Sequence, residues 1–241
     1  MKKILFLFSL FLIYSCSNQE DRYSVGIDPF WYSIQVNGQG RYINGFISDL
    51  LLEIADEKKI DIKLVETSWD NLILGLEQEK YKCCFSTLDE YNFNQANFDF
   101  SDEILKTGYA LVLRKDEKIK TLNDFEDGYI AYIFDDPSRN IIDKHENIQE
   151  VGYDFESVML NDLKNEKIDG CILPIMVARK YVSDLFSDSL KISNDLLSPQ
   201  SIKLISLKDQ NKELIKNFNK VLVKLQKNKK LKMLKTKWGL E

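Results

Sequence analysis

Few side chains in this sequence are of the types that do covalent or metal chemistry. The 241 residues include one histidine, His145, and four cysteines, Cys16, Cys83, Cys84 and Cys171. His145 lies in a polar stretch, and the sequence contains no CxxC motif and no acid–base pair at a sensible spacing. The pattern therefore indicates a binding protein rather than an enzyme, with no metal site and no cofactor.

The first cysteine lies at the end of an apolar segment. Two lysines precede an apolar run over residues 4–14, which is too short to span a bilayer and is typical of a secretory signal peptide. The sequence Ile-Tyr-Ser-Cys at its end resembles a bacterial lipobox. We therefore expect a signal peptide over residues 1–15, lipidation of Cys16 and a polar tether over residues 16–21. An ordinary cleaved signal peptide with a chance cysteine is the alternative.

The other three cysteines do not form a disulfide framework, because their number is odd. Cys83 and Cys84 are adjacent in a predicted strand, so their side chains should point to opposite faces of the sheet. A vicinal disulfide between them would be strained.

The charge of the chain argues against a nucleic-acid partner. The formal net charge is −5, and removal of the two lysines in residues 1–15 changes it to −7. Nucleic-acid binding normally requires a basic surface. The lysines over residues 216–237 alternate with leucine and valine at helical spacing, which favours a solvated helix face over a contact with an anionic membrane. The lipid anchor is then the only expected membrane contact.

The apolar periodicity alternates between strand and helix along the chain. Strands at 23–27, 62–65 and 82–86, separated by helices that begin at Ser48 and Ser68, predict a βαβαβ unit with a mostly parallel sheet. The rest predicts strands at 109–113, 129–134, 148–152, 168–173 and 202–206, and helices near 137 and over 155–166, 174–185 and 212–238, the last ending at Gly239.

This order of elements predicts two α/β lobes with a cleft between them. About 220 residues suit two lobes of about 100 residues each. Open α/β sheets bind ligands beyond the carboxyl ends of their strands, and two such lobes close over a ligand about a hinge. Asp28 directly follows the first strand, where it either faces the ligand or caps a loop.

Several short motifs, in order, resemble the family 3 solute-binding proteins of bacteria, the amino-acid-binding components of ABC transporters. The resemblance covers nearly all of the mature chain. It rests on Val25-Gly26-Ile27-Asp28, Gly45-Phe46-Ile47-Ser48-Asp49-Leu50, Ser68-Trp69-Asp70-Asn71-Leu72-Ile73, Asp99-Phe100-Ser101-Asp102 and Lys237-Trp238-Gly239-Leu240.

The resemblance implies the fold and the biological setting. The family has the type II periplasmic-binding-protein architecture, which predicts lobe 1 over residues 22–110 and 203–241 and lobe 2 over residues 111–202. It also implies a monomeric lipoprotein on the periplasmic side of the membrane. This protein would bind a small polar ligand and deliver it to the membrane permease of an ABC transporter.

The resemblance also implies a pocket, from which the usual amino-acid anchors are missing. Trp31 and Trp69 fall where the family places two aromatic residues around the ligand, although both could be core residues. Asn94 falls at the position of the arginine that holds the ligand's α-carboxylate. Asp135-Asp136 replaces a Gly-Thr backbone nest, and Pro174 replaces the aspartate that holds the α-ammonium group. An ordinary α-amino acid held in the usual manner is therefore not expected.

The replacements make the predicted site acidic, which favours a cationic, neutral-polar or derivatised amino-acid-like ligand. The alternative is that its aspartates only cap turns and helix starts. The candidate ligand-binding residues are Asp28, Trp31, Trp69, Ser86, Thr87, Asp89, Asn94, Asp135, Asp136 and Arg139.

Two other function classes remain open from sequence. A binding module without transport, such as a sensor or interaction lipoprotein, would explain the lost anchors, since fold alone does not fix function. An enzyme is the third class, because some relatives of this fold are dehydratases, but no acid–base pair supports it.

Overall fold

The computed structural model describes residues 22–29, 34–36, 39–41 and 43–240. These residues form two β-sheets with helices packed against them. The strands are β1 Arg22–Ile27, β2 Ile34–Val36, β3 Gln39–Arg41, β4 Asp61–Glu66, β5 Cys83–Ser86, β6 Phe98–Phe100, β7 Leu105–Lys106, β8 Tyr109–Arg114, β9 Gly128–Ile133, β10 Ile148–Tyr153, β11 Gly170–Pro174, β12 Leu190–Leu196 and β13 Ser201–Leu207.

The helices alternate with these strands for most of the chain. Single 3-10 turns at Trp69–Asn71 and Leu122–Asp124 supplement them. The α-helices are α1 Ile43–Lys58, α2 Leu72–Glu77, α3 Asn92–Asn97, α4 Arg139–Ile142, α5 Glu156–Lys164, α6 Ile175–Leu185, α7 Lys212–Lys227 and α8 Lys230–Lys237.

Each sheet combines a parallel part with antiparallel strands from elsewhere in the chain. The first sheet has the order β4-β1-β5-β13-β6, with β7 paired to β13, and its β4-β1-β5 part is parallel as expected for the βαβαβ unit. The second sheet has the order β10-β9-β11-β8-β12, with β8 antiparallel to both neighbours. The predicted two-lobe α/β architecture is therefore confirmed.

The chain passes between the sheets twice. It leaves the first sheet after β7 and enters the second at β8, so the first crossing is at residues 107–108. It returns between β12 and β13, at residues 197–200. The lobe limits predicted at residues 110 and 203 fall inside β8 and β13, because strand pairing, rather than apolar pattern, determines where each strand belongs. The exact division into lobes stays a prediction.

Two sequence predictions about elements were wrong, and several short elements were not predicted. Ser48 does not begin a helix, because α1 begins at Ile43 and places Ile43, Ile47 and Leu50 on one buried face. The predicted helix over 212–238 is two helices, separated where Lys229 adopts a left-handed φ of 63°. The sequence analysis made no prediction for strands β2, β3, β6, β7 and β12 or for helix α3.

The C-terminal helices pack on α1 through paired charges. Lys224 contacts Glu57 at 2.6 Å, and Lys237 contacts Asp49 at the same distance. The hydrogen bond from Lys237 lowers the pKa of Asp49, which also accepts the indole N–H of Trp238 at 2.8 Å. A Cβ atom on Gly45 would lie 2.1 Å from the Trp238 ring, so only glycine allows this contact.

The apolar core confirms the predicted orientation of the paired cysteines. Cys83 packs in the cluster with α1 and α7, whereas Cys84 packs with Leu72 and Leu76 on the other face of the sheet. Both are buried free thiols, as is Cys171 in the second sheet. Among the described residues, no helix has the length and apolar character needed to cross a bilayer.

Candidate ligand-binding site

The candidate site begins where three parallel strands of the first sheet end. The carboxyl ends of β1, β4 and β5 lie at the same edge, so the residues that follow them come close together. Thr67 donates its backbone N–H to Ile27 at 2.9 Å, which ties the chain after β4 to the end of β1. The Trp69 backbone N–H then donates to Asp28 Oδ2 at 3.0 Å.

Asp28 is only 8% exposed. Because its carboxylate accepts the backbone N–H of Trp69, it stabilises the loop that carries Trp69. Of the two interpretations made from sequence, the loop-capping contact is the one observed. A direct contact of Asp28 with the ligand stays a prediction.

The buried side chain of Tyr81 stabilises the Trp69 turn through hydrogen bonds of its hydroxyl group. The Tyr81 hydroxyl donates to the carbonyls of Leu72, at 2.5 Å, and Asn71, at 3.2 Å. Burial raises the pKa of this hydroxyl to about 12, with a smaller contribution from Cys84. A Cβ atom on Gly26 would lie 2.6 Å from the ring, so the close approach of β1 to Tyr81 requires glycine there.

The loop after β5 is fixed by its own polar side chains. Ser86 Oγ accepts the backbone N–H of Leu88 at 3.1 Å. The side-chain amide of Asn94 is buried and donates to the Asp89 carbonyl at 2.7 Å. Asn94 therefore holds the loop closed, in the region where the sequence comparison expected an arginine.

These segments enclose a cavity of ≈ 510 Å³, here called the lobe 1 cavity. Five candidate residues line it: Trp69, Ser86, Thr87, Asp89 and Asn94. The structure adds residues that the sequence analysis did not select, namely Asp70, Leu72, Ile73, Leu88, Tyr91 and Phe93.

Aromatic rings dominate the open side of the lobe 1 cavity. Trp69 is 40% exposed, Tyr91 58% and Phe93 66%. The rings of Tyr91 and Phe93 stack, with centroids 5.9 Å apart and an interplanar angle of 25°. The signal for these two residues was present in the sequence as two aromatics in a polar loop, but nothing there distinguished exposed rings from buried ones.

The predicted residues of the second sheet lie outside this cavity. Asp136 Oδ1 accepts the backbone N–H of Ser138 at 2.8 Å, so Asp136 caps the turn before α4. Asp135 has a φ of 62° and is exposed. Arg139 makes two hydrogen bonds to Glu150, at 2.7 and 3.1 Å, which raise its pKa. The structure therefore does not bring these three residues together with the first five.

A second cavity, of ≈ 550 Å³, lies between the crossing at residues 197–200 and α4. Tyr91 lines it as well as the lobe 1 cavity, so this ring separates the two spaces. Lys144 and His145 also line this second cavity. The sequence analysis selected neither residue for a binding site.

Two predicted residues cannot be placed. Trp31, the other predicted aromatic wall, and Cys16, the predicted lipidation site, lie outside the described residues. Their roles stay predictions.

The sequence profile of the bacterial extracellular solute-binding proteins, family 3, matches residues 23–241. The chain is 21% identical to the L-cystine-binding protein TcyJ of Escherichia coli (strain K12) over 219 residues, which is 89% of this chain and 81% of TcyJ. It is 23% identical to the arginine-binding extracellular protein ArtP of Bacillus subtilis (strain 168), over 89% of this chain and 83% of ArtP.

Solved structures share the fold. The L-cystine solute receptor of Neisseria gonorrhoeae, in its unliganded open conformation, superimposes with a TM-score of 0.76 at 19% identity, over 92% of this chain and 93% of the receptor. The second substrate-binding domain of a Streptococcus pneumoniae amino acid ABC transporter, itself described as putative, gives a TM-score of 0.72 at 18% identity, over 91% of this chain and 100% of that domain.

Proposed function

This chain belongs to the bacterial extracellular solute-binding proteins of family 3, and from that premise we propose that it is the substrate-binding component of an ABC-type uptake system. Its relatives named above are cystine- and arginine-binding proteins, which supports a small amino-acid-like solute as the ligand class. The partner would be the permease of the transporter, and the protein would act as a monomer.

The observation that carries the proposal is the lobe 1 cavity. Its walls come from the segments at the carboxyl ends of β4 and β5, where α/β sheets bind ligands, and its volume suits a small organic molecule. Two chain crossings connect this sheet to the second, which provides the two connections about which the lobes would close over the ligand.

A thermal-shift screen of residues 17–241 tests this function. The panel contains the standard amino acids, cystine, polyamines, quaternary amines and short peptides. A ligand at a hundred times its dissociation constant stabilises the folded state by about 2.7 kcal/mol. We expect a rise in the unfolding midpoint for one ligand class, and we expect Trp69→Ala to reduce it. A flat response to every compound would contradict solute binding.

We further propose that Cys16 is lipidated and holds the protein on the outer face of the cytoplasmic membrane or in the periplasm. The support is the lipobox-like sequence that ends at Cys16. We expect the wild-type protein in the membrane fraction, with an acylated N-terminal cysteine detected by mass spectrometry. Cys16→Ser should abolish this acylation. A mature N-terminal cysteine that carries no acyl group in the wild-type protein would contradict the anchor.

A further inference from the structure

The lobe 1 cavity exposes more aromatic surface than the packing of the fold requires. Trp69, Tyr91 and Phe93 each leave 40% or more of their surface exposed, and all three line the same cavity. Exposed aromatic groups are costly to leave in water, and contiguous apolar surface marks a binding site. These rings form three faces on which a ligand group would stack.

The charged residues that line the cavity within the described part of the chain are all acidic. Asp70 and Asp89 contribute carboxylates, and none of the described lining residues is a lysine, arginine or histidine. Lys203 lies on β13 directly across from Ser86, but its ammonium group is held by Glu90 at 2.9 Å. A ligand carboxylate in this cavity would face two like charges, with no cation among the lining residues that the structure describes.

Aromatic faces and carboxylates together recognise organic cations. The π faces attract ammonium and guanidinium groups, and quaternary ammonium groups are bound by aromatic cages in this way. We propose that the lobe 1 cavity binds the cationic end of an amine, guanidine or quaternary ammonium compound that carries no carboxylate. This inference rests on the proposed solute-binding function and specifies its ligand class.

Matched pairs of compounds test the inference directly. Agmatine is compared with arginine, cadaverine with lysine, and choline with glycine betaine, by isothermal titration of the purified protein. In at least one pair, we expect the compound without the carboxylate to bind ten times more tightly or better. If the carboxylate-bearing compound binds more tightly in every pair that shows binding, the inference is overturned. Lys203 would then be the candidate partner of that carboxylate.

Variants locate the binding to this cavity. Tyr91→Ala and Asp89→Asn should each weaken the cation about tenfold, while Tyr91→Phe, which keeps the ring, should retain binding. Tyr129→Ala and Asp116→Asn are the matched controls, since Tyr129 is 46% exposed on β9 and neither residue lines the cavity. Equal losses in test and control variants would overturn the assignment to this cavity.

The same titrations separate this inference from the function on which it rests. If no cation binds but a neutral amino acid such as cystine does, the cation inference fails and solute binding stands. If nothing in the panel binds, both fail. The far-UV circular dichroism and unfolding midpoint of each variant confirm that a lost signal is not lost folding.

Discussion

The carboxyl-end edges of the two sheets are built in opposite ways. In the first sheet, buried polar side chains form hydrogen bonds with the backbone and leave the aromatic rings exposed. Asp28 and Tyr81 stabilise the Trp69 turn in this way. In the second sheet, the residues predicted to face the ligand beyond β9 are already engaged, because Asp136 caps its own turn and Arg139 is paired with Glu150 of β10. The first edge is therefore preorganised to bind, whereas the second uses its charges to maintain its own fold.

This difference has an energetic consequence. A site whose supporting hydrogen bonds are made before the ligand arrives loses little conformational entropy on binding. A ligand that recruited Arg139 or Asp136 would first have to break contacts that stabilise lobe 2. We therefore expect lobe 1 to supply most of the ligand affinity and lobe 2 to contribute mainly by closing.

The largest expected effect is on affinity, from removal of an aromatic wall. Trp69→Ala should weaken ligand binding by about tenfold to a hundredfold, which corresponds to about 1.4–2.8 kcal/mol, because a stacking face is lost. Arg139→Met, in the second sheet, should change affinity less than about threefold. Isothermal titration with the ligand found in the screen measures both. A larger loss in Arg139→Met than in Trp69→Ala would reverse the proposed division between the lobes.

The next effect concerns the residue that fixes the Trp69 turn. Asp28→Ala removes a charge-assisted hydrogen bond to the Trp69 amide, and such bonds contribute about 1.5–3 kcal/mol. Affinity should fall about tenfold. Asp28→Asn keeps an oxygen acceptor and should lose much less. If both variants lose affinity equally, Asp28 acts through its charge on the ligand, and the direct contact predicted from sequence is correct.

A tyrosine pair compares the two sheets at matched chemistry. Tyr81 donates to the Leu72 carbonyl beneath the lobe 1 cavity, and Tyr153 donates to Asp162 at 3.1 Å in the second sheet. Each Tyr→Phe change should cost about 1 kcal/mol of folding stability, or about 2–4 °C in the midpoint. Only Tyr81→Phe should also weaken ligand binding. Weaker binding in Tyr153→Phe would show that lobe 2 shapes the site.

The same tyrosines predict a loss of stability at alkaline pH. Burial raises the pKa of both hydroxyls to about 12, helped for Tyr153 by the hydrogen bond to Asp162. In the unfolded chain both ionise near pH 10, so the unfolded state releases protons first and stability falls as pH rises from about 10 to about 12. Denaturant titrations across this window should show a shallower fall in each Tyr→Phe variant.

The sequence contained enough information for the parallel half of each sheet. Strands such as β1 and β5 are continuous buried runs, which stand out from their polar flanks. Strand β12 was missed because Lys191, Asn194 and Asp195 interrupt its apolar residues, and its place depends on pairing with β8. The start of α1 was missed because Asn44-Gly45 looks like a turn, whereas Gly45 accommodates the distant Trp238.

The candidate site was predictable to a similar extent. Trp69 was found through the resemblance to the family 3 proteins, which implies an aromatic pocket residue at that position, and it lines the cavity together with Ser86 and Asp89. The exposure of Tyr91 and Phe93 was not predictable, since aromatic residues are more often buried. The partner of Arg139 is on the next strand of the second sheet, so its commitment to Glu150 depends on folding and cannot be inferred from local charge.

The last comparison uses the thiols, which report how readily each lobe opens. Burial raises the pKa of Cys83 to about 12 and also raises that of Cys171, so a thiol reagent at pH 8 should label neither in the native protein. Labelling then requires local unfolding that exposes the thiol. A ligand slows any unfolding that destroys its binding site, by about a hundredfold when the ligand is at a hundred times its dissociation constant.

Because lobe 1 is expected to carry the affinity, saturating ligand should slow the labelling of Cys83 and Cys84 more than that of Cys171. The measurement is time-resolved labelling of a Cys16→Ser protein, followed by peptide mass spectrometry that resolves the β5 peptide from the β11 peptide. The unliganded protein and fully denatured protein are the controls, and all three thiols should react in the latter. Equal protection of the two peptides would mean that the lobes open together, and the contrast between the two edges would then not extend to their stability.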